Sequence, residues 1–232
     1  MGIVKMGMKG QSDVISVLLI VAISIGLVAT AYSWGVPLIQ KQQDTSVSTR
    51  VFSYYDENNV NSVVKKIENV AKNGGSDTFS SDVKGGIWIL NSCVDAADSS
   101  CLQTPYYNFE NNSLEFSFFS RVSQYSVGTG WITVSSSDPC PSPASTIGQD
   151  SYVVCVKSDK NLNGYNVTYK VQFRELDDVT NTDGYKIVLL PQILNLNTST
   201  SGSIQISRGN VITTTDSSGK TLIITEVNIL LG

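Results

Sequence analysis

The chain contains no histidine, and only 16% of its residues are charged. Without histidine, a serine or cysteine nucleophile lacks its usual general base, and a zinc ion lacks one of its common ligands. The sequence also contains no glycine-rich phosphate-binding loop. These absences predict a protein that is not an enzyme and that has neither a metal ion nor another cofactor.

Two acidic arrangements resemble functional sites but have simpler interpretations. Glu175, Asp177 and Asp178 offer paired carboxylates of the kind that hydrolyse glycosides, although acids clustered in a loop are more often solvated. Residues 159–164 begin like an EF-hand calcium loop, but Lys170 occupies the position where that motif requires Glu. We interpret this segment as a polar hairpin turn.

A long run without charge lies near the N-terminus, at residues 14–40. As a helix, residues 14–34 would be about 31 Å long, which matches the roughly 30 Å hydrocarbon layer of a bilayer. Lys5 and Lys9 precede the run, and the positive-inside rule therefore favours a cytoplasmic N-terminus and an external remainder. The run predicts a membrane-spanning helix.

A candidate cleavage point, Lys9-Gly10-Gln11, lies in front of this run. A secretory signal has its cleavage site behind the apolar stretch, so that the stretch is removed. Here a cut would remove only the leader, residues 1–10, and would retain the helix. This arrangement resembles the class III signal peptide of archaeal type IV pilin-like proteins, over about 30 of the 232 residues.

The resemblance implies cleavage between Gly10 and Gln11 by a prepilin peptidase, after insertion of the precursor into the membrane. It further implies that a pilus assembly ATPase and a platform protein build a homopolymer whose core contains the retained helices. Asp13 and Ile15 depart from a common family pattern, which has Ser and Glu at these positions. Asp13 suits the positive end of the helix dipole and is a candidate partner for a neighbouring subunit's amino terminus. The alternative is an uncleaved signal anchor in which Lys-Gly-Gln occurs by chance.

Small residues recur every four positions in the run, at Ala22, Gly26 and Thr30. Such a stripe lets two membrane helices approach closely, although small residues are common in membrane helices in general. The small-residue stripe therefore either marks a contact between subunits or reflects the usual composition of a membrane helix. Pro37 should kink or end the helix near the membrane exit, because it removes a backbone donor.

Apolar residues return at helical spacing from Val60 to Ala71, and Asn73-Gly74-Gly75 predicts a helix stop. We therefore expect the assembly helix and its amphipathic extension at residues 11–75. Residues 76–232 alternate apolar and polar positions between Gly-, Asn- and Asp-containing turns, which predicts an external, β-rich sandwich or barrel-like head domain. The fold class is thus α+β.

Ten strands are predicted in this domain, with hairpin turns at Asn163-Gly164, Asp183-Gly184 and Ser218-Gly219. The last strand, residues 221–230, is apolar to its end. It predicts a core strand of its own domain, and donation to a neighbouring subunit is the alternative. The strands are expected at residues 78–83, 87–91, 113–122, 131–135, 152–157, 167–174, 185–190, 203–206, 210–214 and 221–230.

The four cysteines, Cys93, Cys101, Cys140 and Cys155, all lie in the predicted external domain, where disulfides persist. We favour Cys93–Cys101 and Cys140–Cys155, the short-loop pairing, among the three possible connectivities. The lack of a Cys-x-x-Cys pair disfavours a metal site.

Three glycosylation sequons begin at Asn111, Asn166 and Asn197, and all lie on the predicted outer side. Loss of the leader would change the side-chain charge from −4 to 14 − 20 = −6, and this acidic balance is unsuited to nucleic acid. The sequence thus predicts a glycosylated, adhesive and structural subunit of a surface filament, either major or minor. The alternative is a monomeric, membrane-anchored β-domain that binds sugars or solutes.

Overall fold

The computed structural model describes residues 9–92, 112–125, 127–128, 130–134, 140, 150–178, 183–215 and 219–232. The chain divides into two compact units, Met1–Gln43 and Asp44–Gly232. A long N-terminal apolar helix is followed by a β-rich region, which confirms the α+β class. The last turns of the long helix and a second helix belong to the second unit, together with the strands.

The first helix, α1, spans Lys9–Tyr55. Of the two outcomes expected at Pro37, a kink or the helix end, the second is wrong, because the helix continues beyond it. Proline removes only its own N–H donor, and the hydrogen bonds of the flanking turns maintain the helix. The chain leaves the helix instead after Tyr55, in a turn at residues 56–62.

The second helix, α2, spans Val63–Asn73 and packs against the sheet through its apolar face. Ser62 caps its N-terminus by accepting the N–H of Lys65 at 3.2 Å. Gly74, at φ 79°, closes its C-terminus and confirms the predicted helix stop. Val60 was expected on the apolar face, but it lies in the preceding turn and is 80% exposed.

In the described residues, eleven strands form two sheets in a half-barrel arrangement. The five-stranded sheet has the order β1-β10-β11-β8-β7, and the six-stranded sheet has the order β4-β5-β6-β3-β2-β9. Neighbouring strands are antiparallel except for β8 and β11, which are parallel. The strands are β1 (Ser76–Ser80), β2 (Ile87–Asn91), β3 (Ser113–Ser120), β4 (Ile132–Thr133), β5 (Tyr152–Asn161), β6 (Gly164–Phe173), β7 (Glu175–Asp177), β8 (Asp183–Pro191), β9 (Thr198–Ser199), β10 (Ser203–Thr215) and β11 (Thr221–Leu231).

The C-terminal strand β11 lies between β10 and β8 of its own sheet, which confirms the prediction of a core strand. Its neighbour β10 was predicted as two strands but is continuous, with a register shift between Arg208 and Val211. A Cβ atom on Gly209 would lie 2.9 Å from Cβ of Glu226, so glycine is needed for this close approach. The predicted break is therefore a β-bulge.

The predicted turns are only partly correct. Asn161 pairs with Gly164, so Leu162 and Asn163 form the loop between β5 and β6. Gly164 does not have a positive φ; an added Cβ would lie 2.5 Å from the carbonyl oxygen of Ser120.

The other two predicted turns differ in outcome. Asp183 and Gly184 begin strand β8 instead of forming a turn. Gly219 has φ 85°, as expected of a turn glycine, and Ser218 lies outside the described residues.

A buried asparagine joins the two sheets. Asn112 is 4% exposed, and its side-chain amide donates to the carbonyl oxygens of Phe173 at 3.1 Å and Ile187 at 2.8 Å. Its side-chain oxygen accepts the N–H of Leu189 at 2.7 Å. One side chain thus satisfies backbone groups on β6 and β8, which belong to different sheets.

Replacement of Asn112 by Ala should lower the free energy of unfolding by about 3 kcal/mol, because three buried backbone groups lose their partner. Urea unfolding of the detergent-solubilised chain measures this change. Asn195→Ala is the matched control, because Asn195 has φ 69° against 62° at Asn112 but is exposed. It should cost about 1 kcal/mol, because Ala lacks the polar side chain that lets Asn tolerate a positive φ. Equal losses in the two variants would show that the hydrogen bonds of Asn112 contribute nothing.

Candidate functional site

The first candidate site is the apolar segment of α1, residues 14–39. By length and composition, α1 is the one helix in the described part of the chain that is apolar enough to cross a membrane. None of its most apolar window is buried, and Leu27 and Val28 are 66% and 67% exposed. So much contiguous apolar surface requires lipid or protein around it. Its large exposed residues are Val14, Ile15, Val17, Leu18, Leu19, Ile20, Val21, Ile23, Ile25, Leu27, Val28, Tyr32, Trp34, Leu38 and Ile39.

The small-residue stripe forms an open notch on this segment. A Cβ atom added to Gly26 would meet nothing within 4 Å. Thr30 donates its hydroxyl to the carbonyl oxygen of Gly26 at 2.8 Å, and Ser33 donates to that of Thr30 at 2.9 Å. These hydroxyls are thereby satisfied within the helix and do not prevent an apolar neighbour from approaching.

The predicted cleavage residues Lys9, Gly10 and Gln11 lie in the first turn of α1, and Asp13 follows two residues later. Cleavage, and the pairing of Asp13 with a neighbouring subunit, stay predictions.

Aromatic contacts fix the last turns of α1 in the core of the second unit. Tyr54 packs edge-on against Phe79 and Phe116, with ring centroids 5.0 and 6.0 Å apart. Tyr55 stacks on Tyr169 at 5.7 Å and is 2% exposed. Edge-to-face and stacked rings at these distances are favourable in addition to the area that they bury.

Polar contacts surround this aromatic anchor. The hydroxyl of Tyr54 donates to the carboxylate of Asp82, and Arg50 forms an ion pair with the same carboxylate at 3.0 Å. The pKa of Asp82 is lowered, mainly by the hydrogen bond from Tyr54 and to a smaller extent by the contact with Arg50. Asp44, ten residues before Tyr54, accepts the backbone N–H of Arg121 at 3.0 Å.

A second candidate site lies on the outer face of the six-stranded sheet. Cys140 and Cys155 form a disulfide there, with Cα atoms 5.9 Å apart, which confirms one bond of the short-loop pairing. Cys93 and Cys101 lie outside the described residues.

A buried ion pair on the same face was not predicted. Lys170 is 2% exposed, and its ammonium lies 3.0 Å from the carboxylate of Glu115 and 4.5 Å from the ring centroid of Trp131. The alternation of β6 places Lys170 on the outward face, where the sequence predicts exposure. Nothing in the local pattern indicates that the ring of Trp131 lies over its ammonium.

The sequons differ in accessibility. Asn166 on β6 and Asn197 before β9 are both exposed. Asn111 lies outside the described residues, but Ser113, whose hydroxyl completes that sequon, is fully buried on β3. Occupancy of all three stays a prediction.

The acidic cluster has structural partners. Glu175 and Asp177 both form ion pairs with Lys220, across the edge of the five-stranded sheet. Residues 159–164 belong to the β5–β6 hairpin, as interpreted from the sequence. Among the described residues, no group of three or more Cys, Asp and Glu side chains has the arrangement of a metal site.

No family model, curated protein or solved structure matches this chain significantly. The resemblance to type IV pilin-like proteins therefore rests on the N-terminal residues themselves.

Replacement of Tyr54 by Ala should reduce the free energy of unfolding by about 4 kcal/mol, because a buried aromatic ring is lost from the core. Tyr54→Phe is the matched control, since it removes only the hydroxyl contacts with Ser81 and Asp82 and should cost about 1 kcal/mol. Urea unfolding followed by the fluorescence of buried Trp88 measures both. If Tyr54→Ala costs no more than Tyr54→Phe, the ring does not anchor the helix.

Proposed function

We propose that this protein is a structural and adhesive subunit of an archaeal type IV pilus-like surface filament. In this proposal the apolar segments of many copies pack in the filament core, and the β-rich units lie outside. The observation that carries the proposal is an exposed apolar segment that begins three residues after Gln11 of Lys9-Gly10-Gln11.

The chemistry of the segment supports assembly between helices. Branched aliphatic residues surround the helix, so it has no polar face that would suit water. The notch at Gly26 allows a second backbone to approach, and the hydroxyl of Thr30 is already bonded within its own helix. A lipid bilayer satisfies the same surface before assembly, which is consistent with a membrane-inserted precursor.

The anchoring of α1 supports a role under mechanical load. Val51, Tyr54 and Tyr55 belong to the hydrophobic core that both sheets share. The helix that would pack in a filament is therefore covalently continuous with residues that are buried in the β-rich unit. Adhesion would then depend on the exposed surface of that unit.

The first test is the N-terminus of the native chain, determined by mass spectrometry separately for membranes and for sheared surface material. We expect a start at Gln11 in the sheared fraction. Gly10→Val should block the cut and leave the chain in the membrane fraction with an intact leader. Gly7→Val is the matched control, because it makes the same change inside the leader but away from the cut, and its chain should be processed normally.

A native chain that starts at Met1 and occurs only in membranes would contradict the filament proposal. That result would instead identify an anchored external β-domain, which needs no polymerisation. Processing at Gln11 without any sheared material would separate cleavage from assembly and would also contradict a filament subunit.

The small-residue stripe gives a second prediction. Gly26→Leu fills the notch and should reduce the yield of sheared filaments at least tenfold, while insertion into the membrane and cleavage continue, because an added leucine suits lipid but prevents close helix contact. Gly35→Leu is the matched control, since Gly35 lies outside the stripe and also has open space around its Cβ position. Equal filament yields from both variants would exclude the stripe as a contact.

A further inference from the structure

Three side chains on the outer face of the six-stranded sheet meet at one carboxylate oxygen. The ammonium of Lys170 lies 3.0 Å from Oε1 of Glu115. The side-chain amide of Asn91 donates to the same oxygen at 2.9 Å. Because both nitrogen atoms contact one atom, they lie no more than about 6 Å apart.

The strand register produces this meeting. Strand β3 lies between β2 and β6, and Glu115 on β3 is directly opposite Lys170 on β6. Asn91 on β2 is opposite Ser113, two residues from Glu115 on the same face of the sheet. The long side chain of Lys170 therefore extends across β3 toward the amide of Asn91.

The surroundings exclude water from the group. The side chains of Lys170 and Glu115 are 3% and 12% exposed. The ring of Trp131 lies over the ammonium, with its centroid at 4.5 Å, and Cys155 is the neighbour of Lys170 on β5. The amine and the carboxylate are thus held in contact with each other and largely out of bulk solvent.

We propose that Lys170 and Asn91 react to form an intramolecular isopeptide bond, with Glu115 as the proton acceptor. Glu115 takes one proton from the ammonium, and the neutral Nζ attacks Cγ of Asn91. A bond forms between Nζ and Cγ, the bond between Cγ and Nδ2 breaks, and a second proton of Nζ moves to the departing nitrogen. Ammonia leaves, Glu115 keeps its proton as a neutral acid, and no oxidant or reductant is required.

The geometry supplies what this reaction needs. The carboxylate of Glu115 contacts both the amine of Lys170 and the amide of Asn91. The two reacting groups are therefore held close together before the reaction begins. The product would connect β2 to β6 covalently across β3. This bond depends only on a folded second unit, and it is therefore independent of whether the protein forms filaments.

The experiment is mass spectrometry of the full chain, extracted from the membranes of a bacterial host without N-glycosylation, then reduced and alkylated. We expect a mass about 17 Da below that of the linear chain, which is the loss of one ammonia by amine attack on an amide. A proteolytic digest should contain a linked peptide pair that joins Asn91 to Lys170. A linear mass would overturn the proposal when an unreduced portion of the same preparation contains the Cys140–Cys155 disulfide, which shows that the protein has folded.

Three variants assign the roles. Lys170→Arg keeps a cation beside Glu115 but cannot supply a neutral amine, so it should restore the linear mass and abolish the linked peptide. Glu115→Gln removes the proton acceptor and should reduce the linked fraction at least tenfold. Lys157→Arg is the matched control, because Lys157 forms an exposed ion pair with Asp159 on the same sheet, and it should not change the linkage. A linked peptide that persists in Lys170→Arg would also overturn the assignment.

Discussion

The apolar segment of α1 cannot remain in contact with water, and the organisation of this protein depends on that constraint. At about 25 cal/mol per Å² of apolar surface, removal of such a helix from water is one of the largest favourable terms available to the chain. The side chains of residues 14–39 are largely exposed. The segment is therefore stable only in lipid or among other helices. Both the proposed filament and a simple anchor satisfy this requirement, and cleavage after Gly10 would distinguish them.

The second unit is built to hold the end of this helix. Tyr54 and Tyr55 pack into a core that also contains residues of α2 and of both sheets. Asn112 then joins β6 to β8 by hydrogen-bonding to backbone groups of both strands. A helix end anchored by buried rings resists displacement because every aromatic contact must be lost at once, whereas exposed ion pairs such as that of Arg50 contribute little by themselves.

The sequence predicts most of the secondary structure but less of what covers it. Alternation along β11 and helical spacing along α2 are local signals, so those elements could be located. A glycine that is needed at a bulge or a close approach could not be distinguished from a glycine in a turn. Gly209 and Gly164 illustrate this limit, because the atoms that require glycine, on Glu226 and Ser120, are distant in sequence. The candidate helix site could be predicted because it consists of consecutive residues. The Lys170 site could not, because its residues come from separate strands.

The outer face of the six-stranded sheet shows why a buried ion pair needs an explanation. An isolated pair of this kind is a weak source of stability, since the cost of removing both charges from water offsets much of their attraction. At Lys170 the ring of Trp131 lies over the ammonium where solvent would otherwise be, and its attraction for the cation offsets only part of that cost. A hydrophobic pair of similar volume would pack there at less expense. The retention of an amine, a carboxylate and the amide of Asn91 around one oxygen atom is better explained by chemistry that removes both charges than by electrostatic attraction alone.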